Sequence, residues 1–195
     1  RILSGTQLNA VGALLARLGR AMRGFIHAAP AARRLVWDNR LAPQLLGSVD
    51  LLPAEHRELS RRMLTEFRDR TVPKLATLRS QIIHGDVHPY NSLIGGQGEI
   101  TGIIDFGDLV HATLVQDTAN SVADFLLPGV DIDPIIFEFT RGYCNVTPLE
   151  EGELDLLLDM IEIRLLMTPL VEAAKQAEGY PVQGYLETFG ARCLP

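Results

Sequence analysis

The chain has 195 residues, 47% hydrophobic and 22% charged, which suits one globular domain with a real core or two small lobes and excludes a disordered or fibrous chain. A formal net charge of −6 argues against a nucleic-acid binder that works by neutralising phosphates, and leaves either a diffuse acidic surface or a local acidic pocket for a cationic substrate. No signal peptide or membrane span is visible, and Cys144 and Cys193 lie in no Cys-x-x-Cys spacing, so free thiols in a reducing, cytoplasmic compartment are expected.

Ser4 or Thr6 caps a first helix, along which Leu8, Val11, Leu14, Leu15, Leu18, Met22 and Phe25 form one apolar stripe at i, i+3, i+4 spacing. Ala28-Ala29-Pro30 ends it, because proline disfavours helix for the residue before it. The basic segment Arg33 to Arg40 then forms a short helix running to about Leu46. Trp37, the only tryptophan, is either a core residue or a ligand-stacking one. Pro53 at a first helical position opens a second long helix, with Leu59, Met63 and Phe67 every fourth residue and a mixed-charge outer face. It fades near Thr71-Val72-Pro73.

Strand content is concentrated next. Gln81-Ile82-Ile83-His84 reads as a short buried strand, and Ser92-Leu93-Ile94 with Ile100 to Ile104 as a hairpin closed by Gly95-Gly96-Gln97-Gly98. Those glycines precede a strand and not a helix, so they form a turn and not a phosphate loop. The remainder is helical: Leu114 to Leu126, stopped by Pro128-Gly129; a helix capped at Asp133-Pro134 with Ile135, Ile136, Phe139 and Tyr143; then Thr147-Pro148-Leu149-Glu150 as a capping box. Behind the box comes a central helix with Leu154, Leu157, Leu158, Ile161, Leu165 and Leu166, which Pro169 kinks or ends. A last amphipathic segment carries Tyr185, Leu186, Phe189 and Leu194.

Two stretches carry chemistry. Ile82 to Asn91 ends a strand in His84-Gly85-Asp86, with Asn91 further along the same loop; Gly102 to Asp108 ends the hairpin in Asp105-Phe106-Gly107. The pattern is that of the kinase catalytic loop, H-R-D-x-x-x-x-N, followed by D-F-G, with glycine in place of arginine and the Asp-to-Asn spacing kept. Phosphoryl transfer needs positioning and charge neutralisation more than covalent help. Asp86, at the end of a buried strand, can accept the proton of an acceptor hydroxyl. Asn91 and Asp105 supply oxygen ligands for one metal centre, and few hard oxygen ligands completed by nucleotide phosphates suit Mg2+.

The neighbouring residues have two readings each. His84 is a loop-shaping buried histidine or a catalytic one; His88 is loop scaffold or a phosphate contact. Gly85 permits a backbone conformation closed to other residues. Asp108 and His111 are turn residues or line the acceptor pocket, and Asp117 supports the loop or a helix end. Glu153, Asp155, Asp159 and Glu162 offer negative charge to a cationic acceptor or are the polar side of a helix. There is no H-E-x-x-H and no G-x-S-x-G, so zinc-protease and serine-hydrolase chemistry have no support.

His84-Gly85-Asp86-Val87-His88-Pro89-Tyr90-Asn91 and Gly102-Ile103-Ile104-Asp105-Phe106-Gly107-Asp108, with Gln116-Asp117-Thr118-Ala119 beyond, resemble the aminoglycoside phosphotransferase and choline kinase family, whose fold is protein-kinase-like. Leu35 to Asp38 and Asp105 to His111 look most like the branch containing hydroxylysine kinase and the phosphotransferase domains fused to class III aminotransferases. The resemblance implies an α+β, mostly helical C-terminal lobe over residues 1–195: helical over 1–80, catalytic loop and hairpin over 81–108, helical over 109–195. It implies Asp86 as catalytic base, Asn91 and Asp105 as metal ligands, Mg2+ as cofactor, and ATP or GTP as donor of a γ-phosphate. The acceptor would be a hydroxyl on an amine-bearing metabolite such as an aminoglycoside, choline, ethanolamine or a hydroxylysine-like compound, with no nucleic-acid or membrane partner. The family's N-terminal β lobe, with its nucleotide-covering loop and phosphate-anchoring lysine, is not found before residue 80. The only lysines are Lys74 and Lys175. These 195 residues alone are therefore expected to be inactive, with that lobe as their partner. The other readings are a non-catalytic kinase-like binding module and a metal-dependent hydrolase using the same carboxylates.

Overall fold

The computed structural model describes residues 3–126 and 129–180. The final amphipathic segment expected at Tyr185 to Leu194, Cys193 and Pro128 lie outside them. Helix α1 spans Gly5–Ala21 and starts on a reciprocal cap: the Gln7 amide donates to the Ser4 hydroxyl at 3.3 Å, and the Ser4 amide to the Gln7 side chain at 3.0 Å. It stops earlier than its apolar stripe suggests. Gly24, at φ +83, turns the chain, and Phe25 falls outside the helix, half exposed. Pro30 does not end a helix; it sits in the first turn of α2 (Ala28–Ala32), where a missing N–H costs nothing, and His27 caps that turn.

The helix expected from Arg33 to Leu46 is displaced. Residues 33–38 form an irregular turn, and a 3-10 segment runs over Asn39–Leu51, capped by the buried Asp38. Pro53 is the cap of α3 (Ala54–Glu66) and not its first residue. Nor does α3 fade at Pro73: a π-helical turn, Phe67–Thr71, leads into α4 (Val72–Leu75), with Pro73 in its first turn.

Strand β1 (Ser80–Ile83) is followed by the hairpin β2 (Ser92–Ile94) and β3 (Ile100–Ile103), and then by β4 (Val110–Thr113). The hairpin forms where the sequence placed it. β4 was not expected; it pairs antiparallel with β1, Ile83 opposite Val110, and leads directly into α5 (Leu114–Phe125). Helix α6 spans Asp133–Cys144, with Ile132 and not Asp133 at its cap. The capping box sits three residues later than expected, on Glu150 and Glu153, and starts α7 (Glu151–Leu154). Helix α8 (Leu157–Ala177) continues through Pro169, which neither ends it nor leaves it exposed. No helix among the described residues is long and apolar enough to cross a membrane, and Cys144 is a free thiol.

The core is one contiguous cluster, beside a small second one of Ile83, Val110 and Ala112. α8 packs against α5 and the 3-10 segment, while α1 lies against α6. The α1–α6 crossing rests on glycine. A Cβ on Gly12 would lie 2.1 Å from the Phe139 carbonyl oxygen, and one on Gly142 would lie 2.0 Å from that of Asn9. Backbone meets backbone, and Leu15, Phe139 and Tyr143 fill the space beside the contact, fully buried.

A buried ion pair ties α7 to the chain ahead of β1. The Arg79 guanidinium reaches Glu153, Nε to Oε1 at 3.0 Å, and also donates to the Pro148 carbonyl at 2.8 Å. Glu153 has no solvent exposure, so Arg79→Met strands a buried carboxylate. The expected loss is about 3 kcal/mol, the low end for a broken buried pair because the guanidinium is partly solvated. Urea unfolding of wild type and variant measures it.

Candidate active site

The loop after β1 is fixed from below by α5, a helix that is buried yet polar. Along α5, Asp117, Asn120 and Asp124 recur at i, i+3, i+7 and so share one face. Asp117 Oδ1 accepts from the Gly85 amide at 2.8 Å, and Asn120 Nδ2 donates to the Gly85 carbonyl at 3.3 Å. Gly85 is thus held on both sides. Its φ of +80 is open to glycine at little cost, and a Cβ there would crowd the Asp108 carbonyl at 3.2 Å.

Burial pushes the Asp117 carboxyl up to about 6, partly opposed by the Gly85 and His84 amides it accepts from. A folded-state pKa above the unfolded one means that the folded protein binds more protons between about pH 4 and 6, so this group's contribution to stability falls as pH rises through that window. Asp117→Asn keeps an acceptor oxygen and removes the titration. Relative to the variant, wild type is expected to lose about 2 kcal/mol between pH 4 and 7, at about 1.4 kcal/mol per pKa unit and with the unfolded carboxyl already partly ionised at pH 4. Urea midpoints of both proteins across that range check it.

His84 joins the two motif loops. The Asp86 amide donates to its Nδ1 at 3.3 Å, so the ring proton sits on Nε2, which faces the Ile104 carbonyl at 3.2 Å. Burial holds its pKa below the ordinary histidine value despite that bond and the nearby carboxylates, and a neutral ring is what this arrangement needs. Phe106 packs on it with ring centroids 5.0 Å apart. A backbone bond from Ile104 N to Asn91 O, 3.0 Å, completes the junction.

Asp86 is half-buried. Its carboxylate meets Asn91 Nδ2 at 3.2 Å, His88 Nε2 at 3.5 Å and Arg164 Nη2 at 4.0 Å. Burial pushes its pKa up, but His88 and Arg164 outweigh burial and hold it below the ordinary carboxylate value. Burial alone lowers the His88 pKa, and Asp86 more than offsets this, leaving it raised. His88 Nδ1 accepts from the Tyr90 amide at 3.1 Å, which directs Nε2–H at Asp86.

Among the described residues no three His, Cys, Asp or Glu side chains gather to hold a metal ion. The donors present fit one that brings its own shell. Asn91 spends its amide nitrogen on the Asp86 carbonyl (2.9 Å) and carboxylate, which leaves its oxygen for a ligand. Asp105 is the one non-glycine residue at positive φ among the described residues, at φ 64. One carboxylate oxygen accepts from the Gly107 amide at 3.1 Å, and the other makes no hydrogen bond there. A strained aspartate presenting a free oxygen, beside a free amide oxygen, is a hard, sparse donor set of the kind Mg2+ uses with phosphates and water.

The remaining candidates separate. Asp108, in a 3-10 turn (Phe106–Asp108), pairs with Arg33 at 3.5 Å; His111 sits in β4 opposite Ile82. Glu153 is buried against Arg79 and is not available to an acceptor. Asp155, Asp159 and Glu162 are exposed, and Asp159 accepts from Thr71 Oγ1 at 2.7 Å. Lys74 is exposed on α4. Trp37 is half-buried, with the Arg164 guanidinium carbon 4.6 Å and Lys175 Nζ 5.7 Å from its ring centroid. Sequence reasoning missed Asn120, Asp124 and Arg164. The available signals were the i, i+3, i+7 spacing from Asp117 and an arginine inside the apolar run Ile163 to Leu166.

The phosphotransferase enzyme family profile matches residues 1–147. The chain is similar to hydroxylysine kinase of Mus musculus, 26% identical over 191 residues, covering 92% of this chain and 50% of that protein. It is also similar to hydroxylysine kinase of Bos taurus, 24% identical over 183 residues, covering 88% and 48%. The chain therefore spans about half the length of the curated relatives it matches. Among solved structures it resembles an amicoumacin kinase in complex with AMP-PNP, Ca2+ and Ami, with TM-score 0.64 and 18% identity over 96% of this chain and 57% of that one. An aminoglycoside phosphotransferase from Alicyclobacillus acidocaldarius gives TM-score 0.59 and 17% identity over 94% and 60%. At these identities the likeness is one of fold, the mostly helical portion of a protein-kinase-like architecture. With both motif loops inside the matched span, the chain belongs to the phosphotransferase enzyme family.

Proposed function

We propose that this chain carries the base and metal ligands of a small-molecule kinase that transfers the γ-phosphate of ATP or GTP to a hydroxyl of an amine-bearing metabolite. Aminoglycosides, choline, ethanolamine and hydroxylysine-like compounds are the acceptor classes to test. The observation that carries this reading is the junction of the two loops. Ile104 N on Asn91 O and His84 on Ile104 bring Asp86, Asn91 and Asp105 to one edge, each with an oxygen free for a ligand.

Asp86 takes the proton of the acceptor hydroxyl as its oxygen attacks, and its lowered pKa keeps it ionised at neutral pH. Asn91 and Asp105 would hold Mg2+, which supplies neutralisation of phosphate charge when bound. His84 and Asp117 keep the loop in place, and His88 orients Asp86. Asp108, in the turn after Asp105, and His111, in β4, would line the acceptor pocket. Neither lysine is bonded within the two loops, so the nucleotide's phosphate anchor is assigned to the half of the relatives that this chain does not match, and the 195 residues alone are expected not to turn over.

The test is acceptor-dependent release of nucleoside diphosphate by the natural full-length protein, with Mg-ATP and Mg-GTP, across a panel of the four acceptor classes. Release with at least one class is expected. No release with any class, together with no binding of Mg-nucleotide, would sink the kinase reading and leave a kinase-like binding module.

A further inference from the structure

Arg164 is the most unusual charged residue in the molecule. It lies in α8, 6% exposed, amid an apolar run. A guanidinium has five N–H donors in a rigid fork. Only one contact is made within hydrogen-bond distance, from Nη2 to Asp124 Oδ2 at 3.2 Å. Nε and Nη1 are shielded from solvent and have no partner among the described residues. Buried polar groups are nearly always satisfied, so orphaned donors on a charged group call for a ligand. Their location says which. Nη2 stands 4.0 Å from Asp86 Oδ1, so an anion gripped by this fork is within a few bonds of the proposed base.

We propose that Arg164 and Asp124 form the head-group subsite of the acceptor, Arg164 taking a carboxylate and Asp124 an ammonium, so that the acceptor is a hydroxy amino acid. This rests on the kinase reading above. Asp86 is committed to the hydroxyl. The remaining Asp124–Arg164 pair is neutral overall and displays one charge of each sign, the complement of a zwitterion. An aminoglycoside or choline has no anion to offer and would leave the fork unpaired. Arg164 suits the task better than a lysine because one edge of its guanidinium meets a carboxylate with two parallel N–H bonds, one from an unpartnered nitrogen and one from the second hydrogen of Nη2. Trp37 is the cover: it stacks on the guanidinium, is itself only half-buried, and belongs to the two-residue turn Val36–Trp37, outside any helix. A carboxylate reaches the fork by lifting that turn.

The experiment uses the natural full-length protein and two probes, hydroxylysine and its methyl ester, which keeps the hydroxyl and amines but has no negative charge. For wild type, KM for the ester is expected to be about 100-fold higher than for the acid, the range for losing one partner of a buried charged pair. Arg164→Met should abolish the preference for acid over ester, raising KM for the acid far more than for the ester whatever it does to kcat for both through Asp86, and Arg164→Lys should recover part of the preference. Equal kcat/KM for acid and ester in wild type overturns the subsite and needs no variant. So does an Arg164→Met variant that keeps the wild-type ratio of kcat/KM between acid and ester. Turnover of aminoglycoside or choline but of neither probe also overturns it while keeping the kinase reading; turnover of nothing in the panel overturns the kinase reading itself.

Discussion

Asp86→Asn in the natural full-length protein is expected to lower kcat for acceptor phosphorylation by about 10²–10⁴-fold, the usual contribution of a positioned base. The variant is isosteric, so the loop geometry survives. Asn91 also holds the Asp86 backbone carbonyl at 2.9 Å, and Gly85 remains clamped by α5. What disappears is the ability to accept a proton. The thermal midpoint should move by no more than a few degrees, because Asp86 is only half-buried and its partners His88 and Arg164 keep other contacts. A nucleotide KM within a factor of a few of wild type would place the defect in the chemical step. Retention of more than a tenth of wild-type kcat would mean that another group takes the proton.

The second large effect is on stability. Gly142→Ala is expected to cost about 3 kcal/mol or more, at or above the top of the usual range for overpacking. Two effects oppose each other. Alanine is the better helix former by about 1 kcal/mol. Against that, the new methyl would sit 2.0 Å from the Asn9 carbonyl oxygen and 2.7 Å from its carbon, and neither is the end of a side chain that can swing away. The helices must part, and the clash wins. At about 2–4 °C per kcal/mol for a chain of this size, the midpoint should fall by about 6–12 °C in a thermal scan. Gly152→Ala serves as control. Its Cβ would make an ordinary 3.5 Å contact with Leu78, so propensity alone should leave it neutral or slightly stabilised. A Gly142 variant as stable as that control would show that α1 and α6 do not cross at this point.

Residues whose role is set by their immediate neighbours were legible from sequence. The stripe from Leu8 to Leu18 gave α1, and the paired apolar runs around Gly95 to Gly98 gave the hairpin. The two motif loops carried their chemistry in their own spacing. Features set by distant partners were not legible. Val110 to Thr113 becomes a strand only because β1 lies beside it. Gln116 to Ser121 is mostly polar yet buried, with Asp117 and Asn120 bonded to Gly85 and Thr118 and Ser121 bonded back along the helix. Pro30 and Pro169 carry a penalty that depends on whether the lost N–H had a partner, and first-turn position or packing cancelled it. Arg164 has no partner near it in sequence, and only the fold sets it against Asp86.

The double clamp on Gly85 has a kinetic consequence. Loop amides ordinarily exchange with solvent through local fluctuations. The Gly85 N–H is held by Asp117, on a helix that lies wholly within the core, so it can open only when α5 itself comes away. The turn that carries Asp86 therefore opens with the innermost part of the molecule and not with its surface. Ligands that reach Asp86 therefore come and go while that turn stays shut.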